Sequence, residues 1–244
     1  MISVIAPCLN EQRYLPGFLT SLGEQSWRLF ELIIIDGGST DKSRHIIDAY
    51  EPVFYWDCGI LKLINNRRNL GFIRNLGAHC ARGDILFFTN TDAWIPKYLL
   101  RAIEREMSDP KLLALSGRTI PWNGGSLSSA AHAAFDLLRW GFSKIGKFSP
   151  SGNFLAVKKE AFWAAGGFPE ISVNEDGVLG NKLSSLGKCL FLMNLWAGHY
   201  AKRWNRGALK TLLFYSYVFG NFSPTVKKLL RHVERKSARE FNRK

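Results

Sequence analysis

Six polar residues stand where short apolar runs stop: Asn10 and Glu11 after 2–6, Asp36 after 32–35, and Asn90, Thr91 and Asp92 after 85–88. The runs are brief and rich in Ile, Val, Leu and Phe, the pattern of strands buried on both faces. In an open parallel sheet, ligands bind beyond the carboxyl ends of the strands. Taken singly, each of these residues is a turn former or a helix cap. Three strand ends furnished with carboxylates and carboxamides point instead to a shared pocket for a polar ligand. A further acidic pair, Glu175-Asp176, opens a run of helical character. Carboxylates in a first helical turn are favoured by the helix dipole by about 0.3–1 kcal/mol. Neither G-x-G-x-x-G nor G-x-x-x-x-G-K-[ST] occurs, which argues against dinucleotide and P-loop chemistry. The cysteines at 8, 58, 80 and 189 form no C-x-x-C, so no disulfide framework or zinc knuckle is expected and a reduced, cytosolic compartment is. Cys8 and Cys189, set among apolar neighbours, read as core filler. His45, His79, His132 and His232 show no ligand spacing with one another and take no role.

The elements that must hold these groups alternate. Strands are expected at 2–6, ending at Pro7, and at 32–35, 61–64 and 85–88. Helices are expected at 42–50, capped from 39–41, at 70–80, and at 96–107 with Pro96 in its first turn. Strand, helix, strand, helix implies an α/β fold: a mostly parallel sheet with helices on both faces. Beyond it come strands at 113–116 and 154–157 with a Gly/Ser-rich loop at 123–129 between them, then helices at 159–165 and 176–186. Hydrophobic residues at 46% and aromatics at 13% exclude a disordered chain. No apolar run reaches the ~18–20 residues of a membrane span, and no signal pattern opens the sequence. The 244 residues carry a formal charge of +13, but 202–244 hold 12 Lys and Arg against two Glu, so +10 of it lies there. One domain over 1–206 followed by a basic helical tail over 207–244 is the expected organisation.

Six segments in order, 3–11 (SVIAPCLNE), 33–41 (IIIDGGSTD), 69–78 (NLGFIRNLGA), 83–92 (GDILFFTNTD), 166–170 (GGFPE) and 174–180 (NEDGVLG), resemble family 2 glycosyltransferases of the GT-A fold. The resemblance covers about 1–206. It implies an inverting, metal-dependent, hexosyltransferase-type enzyme that moves a sugar from a nucleoside-diphosphate donor to an acceptor hydroxyl. Pro7, Asn10, Glu11 and Asp36 match residues that hold the base and ribose, and Asp36 could accept a hydrogen bond from a ring N–H. Arg74 matches a basic residue near base and phosphates. Asn90-Thr91-Asp92 occupies the place of the family's Asp-x-Asp, which makes Asp92 the ligand of a divalent cation, Mg²⁺ or Mn²⁺. Asn90 replaces the first carboxylate and is read as a nucleotide contact. Asp176 matches the general base and Glu175 its orienting neighbour; a positioned base contributes ~10²–10⁴-fold.

His199, a further metal-side residue, and Arg203 with Trp204, on the donor diphosphate, resemble the family's late histidine and Arg-Trp element. The glutamine of the processive polymerases' Gln-x-x-Arg-Trp is missing, which argues against a cellulose- or hyaluronan-like synthase. Gly152-Asn153 resembles the acceptor-side loop. The implied partners are a nucleoside-diphosphate sugar and a glycan or lipid-linked acceptor. In the tail, Val226, Leu229, Leu230 and Val233 repeat at helical spacing among basic residues, which suits either peripheral contact with the cytoplasmic membrane face through 207–244 or a helix packed on the domain with its charges solvated. A nucleic-acid partner is disfavoured because no such motif accompanies the charge. The rival reading is an inactive nucleotide-sugar- or glycan-binding protein of the same fold, motivated by Asn90.

Overall fold

The computed structural model describes residues 1–54, 60–64, 69–122, 125–171 and 174–200. Among them, β1 (Ile2–Cys8), β2 (Phe30–Asp36), β3 (Ile60–Ile64), β4 (Ile85–Phe88), β5 (Ala93–Trp94), β6 (Leu112–Pro121), β7 (Leu155–Lys158) and β8 (Lys188–His199) form one sheet. Its order is β3-β2-β1-β4-β7-β6-β8-β5. β1 to β4 are mutually parallel, as are β6 and β8, whereas β7 is antiparallel to both of its neighbours and β5 to β8.

Successive strand side chains point to opposite faces, and the core divides accordingly. Ile2, Val4, Ala6, Leu32 and Ile34 join Phe18 and Leu22 of α1 (Leu15–Gly23) and Leu100 and Ile103 of α4 (Leu99–Met107). Ile5, Ile33 and Ile35 face the other way, onto Ile73 of α3 (Leu70–Cys80), Phe162 of α6 (Lys159–Ala164) and Leu179 and Leu183 of α7 (Glu175–Leu186). α3 lies close against the sheet: a Cβ on Gly77 would come within 2.5 Å of Ile5 Cγ2 and 2.8 Å of Ile35 Cδ1. Arg74, three residues earlier and therefore on the same helical face, is carried in toward the strand ends.

Several expected boundaries move. β1 continues through Pro7 to Cys8, because β4 pairs only with Ile2–Ile5 and leaves Pro7 a ladder partner on the β2 side alone. Asp36 is the last residue of β2, not the first beyond it. Pro96 lies before its helix, in a turn whose carbonyl accepts the Leu99 N–H at 2.8 Å. The loop expected at 123–129 gives way at Ser126 to α5 (Ser126–Lys144), a helix of 19 residues. α1, α2 (Ser43–Tyr50) and α7 flank the strand ends; α1, β5 and β8 occupy stretches where the sequence reading placed no element.

Candidate active site

The register gathers the strand ends that carry Pro7, Asp36, Asn90, Asp92 and His199 at one end of the sheet. Cys8 pairs with Asp36 and Phe88 with Leu155, so the carboxyl ends of β1, β2 and β4 meet the turn that enters β7. Pro121 and Ala93 both pair with His199, which brings the ends of β6 and β8 beside the start of β5. Asp36, Asp92 and the β7 turn thus share one rim.

At the β1–β2 portion of that rim, two loops are laced together. Asn10 adopts φ of 55°, a left-handed conformation that asparagine tolerates better than most residues. Its N–H donates to Ser39 Oγ at 3.0 Å and its Oδ1 accepts from Thr40 N–H at 2.9 Å. Glu11 N–H donates to Ser43 Oγ at 2.9 Å, which leaves the Glu11 carboxylate partly exposed. Asp36 is 4% exposed; its Oδ1 accepts from Ser39 N–H at 2.8 Å and its Oδ2 from Arg44 Nε. A carboxylate offers about four acceptor positions, so capacity remains for a ligand N–H. Burial, reinforced by Asp36 and Glu11, pushes the Cys8 thiol up to about 12 and keeps it inert. Thr91 Oγ1 donates to the Pro7 carbonyl at 3.0 Å and joins the loop after β4 to this unit.

Arg74 ties the opposite wall. Its side chain is 1% exposed, with Nη1 on Glu175 Oε1 at 3.0 Å and Nη2 on the Gly152 carbonyl at 2.8 Å and Asn90 Oδ1 at 3.3 Å. Its guanidinium carbon lies 5.2 Å from the centre of the Phe168 ring. Asn90 Nδ2 in turn donates to Asn153 Oδ1. Arg74, Asn90, Gly152, Asn153 and Glu175 are therefore one hydrogen-bonded group. Asp176, at the start of α7, accepts the Gly177 N–H at 2.9 Å through Oδ1. Its Oδ2 faces Gly152, where an added Cβ would sit 3.3 Å from both that oxygen and Arg74 Nη2. Phe168 is held by Asn75, which exchanges two hydrogen bonds with its backbone at 2.8 and 2.9 Å. Phe168, Ser43 and Arg44 carry no signal in the sequence that would assign them to the site, whereas Ser39 is expected there only as a helix cap and Thr91 only as a strand-end polar residue.

On the third portion of the rim, Asp92 and His199 become neighbours across two antiparallel strands: Ala93 pairs with His199, and Tyr200 N–H donates to the Asp92 carbonyl at 3.2 Å. One carboxylate and one imidazole suit a divalent cation whose other positions are filled by diphosphate oxygens and water. Among the described residues no group of three or more His, Cys, Asp or Glu could hold a metal ion, so Asp92 and His199 alone make no closed metal site. His132, from α5, packs its ring 5.1 Å from that of His199. Arg203 and Trp204 lie outside the described residues, as do the boundary at 206 and the tail 207–244.

The sequence profile described as "Glycosyl transferase family 2" matches residues 3–165. The chain belongs to glycosyltransferase family 2. Among curated relatives of this family 2 chain is poly(ribitol-phosphate) beta-N-acetylglucosaminyltransferase TarS of Staphylococcus aureus, 29% identical over 128 residues, which are 49% of the chain and 22% of TarS. The chain thus spans under a quarter of that relative. Its fold is similar to the mannosyltransferase PcManGT from Pyrobaculum calidifontis, solved with GDP-Man and Mn²⁺, at a TM-score of 0.71 and 22% identity over 96% of this chain and 68% of that one. It is also similar to TarS 1–349 in complex with UDP-GlcNAc, at 0.66 and 20% over 82% of this chain and 58% of that one. The fold expected from the family 2 segments, GT-A with helices on both faces of the sheet, is the one observed.

Proposed function

We propose that the protein transfers a sugar from a nucleoside-diphosphate donor to an acceptor hydroxyl with inversion at the anomeric carbon. The observation that carries this reading is the Arg74-centred group, which sets Glu175 and Asp176 against the strand ends where family 2 motifs converge. Asn10, Glu11 and Asp36, with Pro7 behind them, form the base and ribose side; Asp36 is kept in place by Ser39 and Arg44 and retains acceptor capacity for a ring N–H. Asp176 takes the acceptor's proton as general base while the oxygen attacks the sugar from the side opposite the leaving diphosphate. Glu175, fixed by Arg74, orients the first turn of α7 and so the base. Gly152 and Asn153 border the acceptor, because a side chain at 152 would intrude between Arg74 and Asp176. Asp92 and His199 would hold a divalent cation, Mg²⁺ or Mn²⁺, which as a Lewis acid neutralises charge on the diphosphate. Arg203 and Trp204 complete the donor side, and the acceptor is a glycan or lipid-linked hydroxyl. The catalytic unit spans 1–206, with 207–244 a basic tail for peripheral membrane contact.

The test is Asp176→Asn. Turnover with a donor sugar should fall by ~10²–10⁴-fold, while calorimetry shows donor binding unchanged. Near-normal turnover rejects Asp176 as the base. If the wild-type chain binds donor yet neither transfers nor hydrolyses it with any acceptor, a binding protein of the same fold replaces the enzyme.

A further inference from the structure

Helix α5 has its polarity reversed. The side chains it buries are Ser128, His132, Asp136, Arg139 and Ser143, which recur every three or four residues and so line one face. That face is used by the fold: α5 packs on β6 and β8. Asp136 lies 3.5 Å from Arg139 and 3.9 Å from Arg118 of β6, and His132 Nδ1 is 2.9 Å from the Ser128 carbonyl. The apolar residues point out, with Leu137 56%, Leu138 49%, Trp140 39% and Ile145 68% exposed. A surface helix in water shows the opposite arrangement. Among the described residues, none covers this outward face.

We infer that the outward face of α5 docks on an anionic lipid membrane. Charge selects this occupant. From 125 to 147 the exposed charged side chains among the described residues are Lys144 and Lys147, both cationic, because Asp136 and Arg139 are buried. Lys144 Nζ sits 5.6 Å from the Trp140 ring centre, an aromatic-and-lysine edge suited to the headgroup level. Half-exposed Trp122, just before the helix, donates its backbone N–H to the carbonyl of His199 at the end of β8. The sequence beyond Tyr200 adds the +10 of 202–244 to the charge of the chain. A second copy of a +13 chain is repelled; an acidic bilayer surface attracts it. α5 lies on the surface in this reading, since no helix among the described residues is long and apolar enough to cross a membrane. The inference is independent of sugar transfer, because its readout is vesicle binding alone.

The test sediments the full chain with phosphatidylcholine vesicles with and without phosphatidylglycerol. Wild type should pellet with the acidic vesicles. Leu137→Glu and Leu138→Glu should each bind about tenfold more weakly or worse. Leu29→Glu, a charge placed on another exposed leucine (52%), should bind as wild type. A second measurement needs no charge substitution: brominated lipid should quench wild-type tryptophan emission, and Trp140→Phe should remove part of that quenching. Wild-type chain left in the supernatant overturns the inference. So does undiminished binding of both α5 variants, which assigns the attraction to 202–244 alone, or a dimer in ultracentrifugation that the α5 substitutions dissociate.

Discussion

Arg74 has no conservative substitute in this site. Its planar fork spans a carboxylate, an amide oxygen and a backbone carbonyl contributed by three separate segments; the single ammonium of lysine cannot reproduce that geometry. Removing one partner of a buried ion pair destabilises by about 3–5 kcal/mol. Glu175 keeps 12% exposure, so Arg74→Met should sit at the lower end, about 3 kcal/mol in urea unfolding. Because Glu175 and Asp176 share the first turn of α7, kcat should fall more than tenfold with a smaller change in donor KM; unaltered kcat in a folded variant excludes the tether role. Gly152→Ala separates position from stability. Its Cβ would press at 3.3 Å on Arg74 Nη2 and Asp176 Oδ2, a contact relieved by a shift of a few tenths of an ångström on the Asp176 side. Turnover should drop while the melting temperature hardly moves. Full activity in this variant would show that space between those two groups is not needed.

The elements are held from the rim opposite the site as well. Glu31 on β2 accepts from Ser3 Oγ of β1 at 2.6 Å, from Arg82 N–H at 2.6 Å and from Arg82 Nε at 2.8 Å. Burial alone would raise its pKa, but the Ser3 and Arg82 hydrogen bonds and the Arg82 charge outweigh burial and hold it below 4.5. A depressed carboxylate stabilises the fold above its unfolded pKa, and that contribution is lost as pH falls through the folded value. Glu31→Gln should therefore lower stability by about 1–2 kcal/mol at pH 7, with the exposed Arg82 screening its share. The gap from wild type should narrow as urea titrations are taken down through pH 4; a constant gap would assign the effect to packing. Elements like β1, β2 and β4 were legible in the sequence because strands buried on both faces need unbroken Ile, Val and Phe runs. β8 was not: between Leu192 and Trp196, opposite the adjacent Gly117 and Arg118 of β6, three of its residues have no ladder partner, which breaks the alternation that marks a strand. α5 escaped for the reason argued above, since a helix with buried polar and exposed apolar residues inverts the signal being sought. In the site, the strand-end motifs were visible in local sequence, but the Arg74–Glu175 contact joins positions 101 residues apart and has no local trace.

At the scale of the molecule, the residues proposed for the donor side are divided between distant parts of the sheet. Asp36 ends β2 near one edge of the strand order, while Asp92 and His199 stand at β5 and β8 on the other edge. Thr91, bonded to Pro7, and Arg74, bonded across to α7, connect the two. A nucleoside diphosphate that reaches from Asp36 to Asp92 must stabilise the sheet as a unit, since only the folded chain brings those groups to one rim. At a concentration 100 times its Kd, such a ligand adds about 2.7 kcal/mol, or roughly 5–10 °C of melting temperature for a domain of this size. UDP and GDP are the probes, each with and without Mn²⁺, because the two sides make different demands. Asp36→Ala should remove the shift whether or not metal is present, as the base loses its acceptor. Asp92→Ala should abolish only the part that Mn²⁺ adds. Equal metal dependence in the Asp92 variant and wild type would detach Asp92 from the cation. A shift that survives Asp36→Ala intact would mean that the nucleotide occupies another part of the rim, and the two ends of the sheet would then have to be treated as separate sites.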